Sequence, residues 1–256
     1  MLLLQTRCQR VTCFGGAYNA RMLVAALNGN RAPGSHPALP LTLRELAADG
    51  VSCVRAGAGA LHLHPRSAGS GLETLDPAVV DETVVTIRAA TGVPIGVSTG
   101  AWIEPDPARR AELVSFWREP DMASVNFSED GASLIAEALL DAGVALEAGI
   151  WSVADAERLA ASGFSDRIAR TLVEIVRPTE DPVGVAMEIE AALERLGIVA
   201  PVLVHGEQAA TWPVLHHGLE HGLDIRIGFE DSFYLPDGAM AASNAELVEA
   251  ACRLAR

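Results

Sequence analysis

Residues 60–66 read Ala60-Leu61-His62-Leu63-His64-Pro65-Arg66, and this alternation decides how the rest of the chain is read. Successive side chains on a strand point to opposite faces, so Leu61 and Leu63 share one side while His62 and His64 share the other. A short strand with one aliphatic face and two imidazoles aimed at one point belongs to a buried sheet whose second face carries chemistry. Alone, the pair has two readings: metal ligands, or packed histidines satisfied by hydrogen bonds. A third ligand would decide between them.

Working outward, short apolar runs alternate with segments of helical period, the pattern of a parallel sheet with crossover helices. Strands are expected at residues 11–15, 60–64, 94–98, 122–127, 144–149, 171–176, 201–205 and 224–230. Helices are expected at 42–55, 77–90, 107–117, 132–141, 153–161, 182–196, 212–221 and 244–254. Asp76-Pro77 and Asp106-Pro107 each pair a cap with a first-turn proline, and Gly50, Gly92, Gly143, Gly163, Gly197 and Gly222 are candidate terminators or breaks. These β-α pairs fit an α/β fold, a closed (β/α)8 TIM barrel of roughly 250 residues, expected as one domain over residues 1–256. An open doubly wound sheet also alternates, but Phe14-Gly15-Gly16-Ala17 lacks the spacing of a dinucleotide turn. The longest irregular segment, 18–40, lies on the catalytic face of such a barrel, where a substrate lid or pocket wall is expected.

Half of the residues are hydrophobic and the formal net charge is −14. With Lys and Arg nowhere clustered, this argues against a nucleic-acid or anionic-membrane surface. Cys8, Cys13, Cys53 and Cys252 show no metal-site spacing and no disulfide density, so they read as reduced thiols. No apolar run reaches the roughly 18 residues of a membrane span, and Met1-Leu2-Leu3-Leu4 is too short for a signal peptide. A cytoplasmic homo-oligomer is expected.

Barrel active sites sit at the carboxyl ends of the strands, and there the polar residues gather: His62 and His64, Ser98 and Thr99, Ser124 and Asn126, Glu147, His205, and Arg226-Ile227-Gly228-Phe229-Glu230-Asp231. On the last strand Arg226, Gly228 and Glu230 share the inward face, with Asp231 at the rim. An inward Arg and Glu need partners, because an unpaired buried charge costs several kcal/mol. Strands two and eight flank strand one, so Glu230 can approach both histidines. Two His and one carboxylate form the ligand set of an open zinc site; the competing reading of Glu230 is an ion pair with Arg226. Glu147 is either a holder of a ligand or a general base. Ser98, Thr99 and Asn126 are candidate substrate contacts. His205 reads as packed or touching substrate, and His216, His217 and His221 as surface residues.

These residues resemble the β-keto acid cleavage enzymes. The matching pieces are Gly57 to Arg66, Ser98-Thr99-Gly100, Met122-Ala123-Ser124-Val125-Asn126, Glu147, Arg226 to Asp231, and Ser243-Asn244-Ala245-Glu246-Leu247-Val248-Glu249. The resemblance implies a zinc-dependent barrel that converts a β-keto acid and acetyl-CoA into acetoacetate and a new CoA thioester. It implies that His62, His64 and Glu230 hold Zn2+ and that Ser98 contacts the substrate beside it. Asp231, oriented by Arg226, would help deprotonate the acetyl group, with a pKa raised by a dry barrel mouth, and Glu147 would handle protons during C–C cleavage.

The chain also departs from the family pattern. Tyr18 stands where an acidic substrate-selecting residue is common, and His205-Gly206-Glu207-Gln208 replaces a Gly-x-Gly-Arg turn after strand seven. The loops after strands four and six are short. Glu207 favours an alternative, a zinc-dependent hydrolase or aldolase-like lyase without CoA. If CoA is used, Arg109 and Arg110 at the start of the helix after strand three would reach its nucleotide instead. A non-catalytic ligand-binding barrel is disfavoured by the inward polar residues.

Overall fold

The computed structural model describes residues 21–255. Its strands are β1 (Leu23–Ala26), β2 (Ala60–Leu63), β3 (Ile95–Ser98), β4 (Met122–Asn126), β5 (Ala145–Ile150), β6 (Arg170–Ile175), β7 (Val202–Gly206) and β8 (Asp224–Ile227). The α-helices are α1 (Leu43–Ala56), α2 (Pro77–Thr91), α3 (Pro107–Ser115), α4 (Ala132–Ala142), α5 (Val153–Ser162), α6 (Pro182–Arg195), α7 (Thr211–His221) and α8 (Asn244–Leu254). Each strand pairs in parallel with the next, and β8 closes on β1. The fold is therefore the (β/α)8 barrel that the alternation implies. No helix among the described residues is long and apolar enough to cross a membrane.

The first strand differs from expectation. Residues 11–15 lie outside the described residues, and β1 is Leu23–Ala26, inside the segment read as a long loop. Its alanines have low strand propensity, but all four residues are buried between the flanking strands, and tertiary packing overrides propensity there. Leu27 to Leu41 then form the true β1–α1 connection. This segment is pinned in place, since Arg66 donates to the carbonyls of Gly29 and Arg31 at 2.9 and 2.8 Å. It is a wall, contributing Asn30 to the central cavity.

Helix boundaries follow local chemistry. Asp76 and Asp106 accept hydrogen bonds from first-turn amides ahead of Pro77 and Pro107. Gly92, Gly143, Gly163 and Gly222 end their helices in the left-handed conformation. Gly50 does not terminate α1 but lies within it, where a side chain would strike Leu61 of β2.

The core has two zones. The larger packs the outward faces of the strands, such as Leu61, Leu63, Val97 and Ile225, against the helices. The smaller fills the barrel axis with Val24, Ala60, Leu172 and Leu203. In the strand register His62 is level with Gly96, Glu147 with Arg170, and Glu174 with His205. Inward parity thus carries polar side chains up the axis from this apolar plug to the carboxyl ends.

Candidate active site

His62 lies on β2, and His64 follows one residue beyond it. The Asn28 amide clamps His64 from the β1 side: it donates to the His64 carbonyl at 3.0 Å and accepts from the His64 amide at 2.9 Å. Glu230 arrives differently from expectation. β8 ends at Ile227, and the chain then turns, with Asp231 N and Ser232 N both bonded to the Gly228 carbonyl at 2.9 Å. Gly228 permits this turn because it lies directly against the β1 backbone, where a Cβ would sit 2.0 Å from the Ala26 oxygen. A tight turn, not strand alternation, aims Glu230 inward.

The ligand atoms of His62, His64 and Glu230 all lie within 4.8 Å of one another. Glu230 Oε1 is 3.5 Å from His64 Nε2, and Oε2 is 3.7 Å from His62 Nε2. The donor set fits a metal ion on a further observation: His64 Nε2 and Glu230 Oε2 are buried without a hydrogen-bond partner. Such orphaned atoms cost about 1–3 kcal/mol each, and a cation between them would satisfy both. His64 Nδ1 meets Glu73 Oε1 at 2.5 Å, and the Trp102 indole donates to the same oxygen at 3.2 Å. A carboxylate behind a ligating imidazole fixes the ring and presents its other nitrogen to the metal.

The charges agree with this arrangement. Burial pushes His62 down to about 4, so its imidazole is neutral, the ligating form. Burial also opposes charge on His64, but Glu230 and Glu73 outweigh it and raise that ring to about 9. Two carboxylates thus call for positive charge at this point, as a proton or as a metal. Burial works against ionised Glu230, yet Arg226, His64 and His62 hold its carboxyl well below the usual range.

Asp231 is not at the rim but fully buried. Its Oδ1 accepts from Arg226 at 2.7 Å, and the same guanidinium nitrogen reaches Glu230 Oε1 at 3.0 Å. Its Oδ2 is buried without a partner. The raised pKa anticipated for this carboxylate is absent: burial raises it, but Arg226 and His205 outweigh burial and lower it. Arg31 was missed in the sequence, although it donates to the carbonyls of Phe229 at 2.9 Å and Glu230 at 2.6 Å and so fixes the turn from outside.

The ligand triad opens on a cavity of about 140 Å3 that also touches Ser98, Asn126, Trp102, Trp151, Glu174 and Glu207. Thr99 is turned away; its hydroxyl donates to the Ser124 carbonyl at 2.7 Å. Glu147 sits deeper, one layer below the mouth, where its Oε1 accepts from Arg170 Nε at 2.7 Å and lies 2.6 Å from Arg170 NH2. His217 is buried and bonded to Glu190 at 2.8 Å, correcting its assignment to the surface; it falls on the side of α7 that faces α6. Arg110 is also buried, paired to Glu129 at 2.8 Å, and Arg109 pairs with Glu112 at 2.6 Å on the exposed face of α3. Tyr18 lies outside the described residues.

The profile of the beta-keto acid cleavage enzymes matches residues 21–256. The 3-keto-5-aminohexanoate cleavage enzyme of Fusobacterium nucleatum subsp. nucleatum is 27% identical over 263 residues, covering 92% of this chain and 91% of that one. The 3,5-dioxohexanoate:acetyl-CoA acetone transferase of Paraburkholderia graminis is 31% identical over 94 residues, 37% of this chain and 30% of its own length. Among solved structures, ObcA in ternary complex with a C4-CoA adduct and oxalate superposes with a TM-score of 0.66 at 16% identity, over 83% of this chain and 62% of that chain. A type I 3-dehydroquinate dehydratase from Clostridium difficile gives 0.62 at 11% identity, over 93% of both chains. These two are likenesses of fold. The family profile runs through the barrel from its first described residue and takes in both histidines and the Arg226 to Asp231 turn, and on that match the chain belongs to the β-keto acid cleavage enzyme family.

Proposed function

We propose that this protein is a zinc-dependent enzyme that exchanges acyl groups between a β-keto acid and acetyl-CoA, giving acetoacetate and a new CoA thioester. The observation that carries the reading is the His62, His64 and Glu230 triad at a cavity that Arg226 also lines, with Asp231 buried directly behind on Arg226 and one of its carboxylate oxygens unpartnered. Zinc suits two imidazoles and one carboxylate with a position left for substrate. When bound, the ion supplies Lewis-acid polarisation of a carbonyl oxygen.

The chain's own residues supply the rest. The exchange breaks one C–C bond and makes another, so a proton next to a carbonyl leaves before the new bond forms and returns after the old one breaks. Asp231 is the acceptor and later the donor, and Arg226 keeps it ionised between turnovers. The Ser98 hydroxyl, which accepts from the Gly100 amide at 3.2 Å, can donate its own proton to a substrate carboxylate or keto oxygen. Asn126, held by Glu129 at 2.9 Å, stands on the next strand. Glu147 with Arg170 forms a charged floor beneath His62, so its contribution is to hold the site in place.

A second reading, a zinc-dependent hydrolase or aldolase-like lyase acting without CoA, is favoured by Glu207. Burial, reinforced by Asp231, raises this carboxyl to about 7. A carboxylate at a turn opposes phosphate binding, which relies on arginine forks or helix N-termini. Incubation of the zinc-loaded protein with a panel of β-keto acids, with and without acetyl-CoA, separates the two. Acetoacetate and a new thioester in equal amounts, only with acetyl-CoA present, is the expected result. Turnover indifferent to acetyl-CoA would promote the second reading.

A further inference from the structure

On β6 and β7, across the cavity from the metal triad, Glu174 and His205 stand level in the strand register. His205 is fully buried. Its Nε2 lies 3.0 Å from Glu174 Oε2, and its Nδ1 lies 3.1 Å from Asp231 Oδ1, within ionic reach though outside hydrogen-bond alignment. The other oxygen of Glu174 accepts from the Trp151 indole at 3.0 Å. Both ring nitrogens of His205 therefore face carboxylate oxygens, which accept and do not donate.

The consequence for Asp231 is geometric. Arg226 and His205 both engage Oδ1, at 2.7 and 3.1 Å, and leave Oδ2 buried and unpartnered. Its main chain is fixed as well, the amide by the Gly228 carbonyl and the carbonyl by the Gln208 amide, each at 2.9 Å. With Arg226 alone the carboxylate could rotate about its own axis and exchange its two oxygens; a second cation on the same oxygen removes that freedom.

We infer that His205, held by Glu174 and Trp151, is a positioning residue for Asp231, fixing which carboxylate oxygen is offered to the substrate. The inference deepens the proposed function and rests on it in so far as Asp231 takes the substrate's proton. His205 carries charge in this arrangement: burial and Arg226 oppose it, but Asp231 and Glu174 outweigh both and raise the ring to about 9. Glu207, two residues further on, also senses this ring, whose charge favours the Glu207 carboxylate.

The test uses the zinc-loaded full chain and the variants Glu174→Ala and His205→Gln, each checked for unchanged zinc content and cooperative melting. For a residue that orients the proton acceptor, kcat falls by on the order of 10²-fold while KM for the β-keto acid stays nearly constant. A rise in KM with kcat preserved would make Glu174 a substrate contact and overturn the inference. So would unchanged kinetics. Nitrogen-15 spectra of the His205 ring give a readout free of any reaction. The wild type is expected to show protonated Nδ1 and Nε2 at pH 8, and Glu174→Ala to change the Nε2 signal. A neutral wild-type ring would overturn the inference even if turnover were found. A doubly protonated ring with no cleavage of any β-keto acid would instead sink the reaction while leaving the arrangement in place.

Discussion

The two sides of the barrel mouth handle charge in opposite ways. Where β2 meets the turn after β8, His64 Nε2 and Glu230 Oε2 are buried and unpartnered. Where β6 meets β7, the oxygens of Glu174 are taken by Trp151 and His205. One side is left open for a ligand; the other is closed on itself and holds its neighbour still. The difference shows that burial of charge is not itself a sign of a binding site: the sign is a buried polar atom whose partners the protein does not supply. Asp231 joins the two sides, with one oxygen engaged by Arg226 and His205 and the other buried without a partner.

The largest effect should come from removing an open-side ligand. The purified protein is expected to carry about one zinc per chain, and His64→Ala to lose most of it. Metal analysis that found wild type and variant equally loaded would remove the distinction between the two sides. Next in size is the division within the turn. Glu230→Gln should strip metal, because it replaces the only carboxylate of the triad, whereas Asp231→Asn should keep metal and lower turnover by on the order of 10²–10⁴-fold. Equal metal loss in both would mean that Asp231 belongs to the ligand set.

A smaller effect is expected from Glu73. It touches the cavity through His64, whose Nδ1 it holds at 2.5 Å. Partners of this kind are worth about 10–100-fold in metal affinity, so competition against a chelator should show Glu73→Gln weaker than wild type by that factor. Affinity equal to wild type would reduce Glu73 to a bystander.

The metal triad and His205 were legible in the sequence and the residues that hold them were not, for a physical reason. Alternation on one strand puts His62 and His64 together, and the Arg226 to Asp231 run carries its own spacing. Glu73, Glu174, Trp151 and Arg31 come from separate loops and strands with no local pattern, and only barrel closure brings them to the site. Parity was also a good guide only where strands continue. It gave the right direction for Glu230 for the wrong reason and failed at Asp231, because β8 ends at Ile227 and a turn sets both side chains. It failed at the first strand, where an alanine-rich run gave no propensity signal and the alternation had to be anchored further upstream. Had Met22 to Leu27 been weighed by its place before Asn28-Gly29-Asn30, a turn-rich sequence, the strand could have been found.

The smallest predicted effect tests the border between the two sides. Glu207 faces the cavity with no cation assigned to it alone, and burial first, then Asp231, raise its carboxyl from 4.5 to about 7. A carboxyl whose folded pKa lies above its unfolded value binds its proton more tightly in the folded state. Its contribution to stability is therefore fully present below about 4.5 and is lost as pH rises through about 7. Glu207→Gln mimics the protonated form at every pH. Wild type and variant should melt together at pH 4.5, the variant should gain progressively up to pH 7, and the gap should then level off at a few degrees at most. A gap that stayed flat across this range would mean that Glu207 is as well solvated as an open surface carboxylate and already ionised at pH 6, and no change in acetyl-CoA binding between pH 6 and pH 8 would then follow from it. If the gap follows the expected curve, the same variant should lower the KM for acetyl-CoA at pH 8 more than at pH 6, because only at the higher pH does the wild type present a carboxylate for a phosphate to meet.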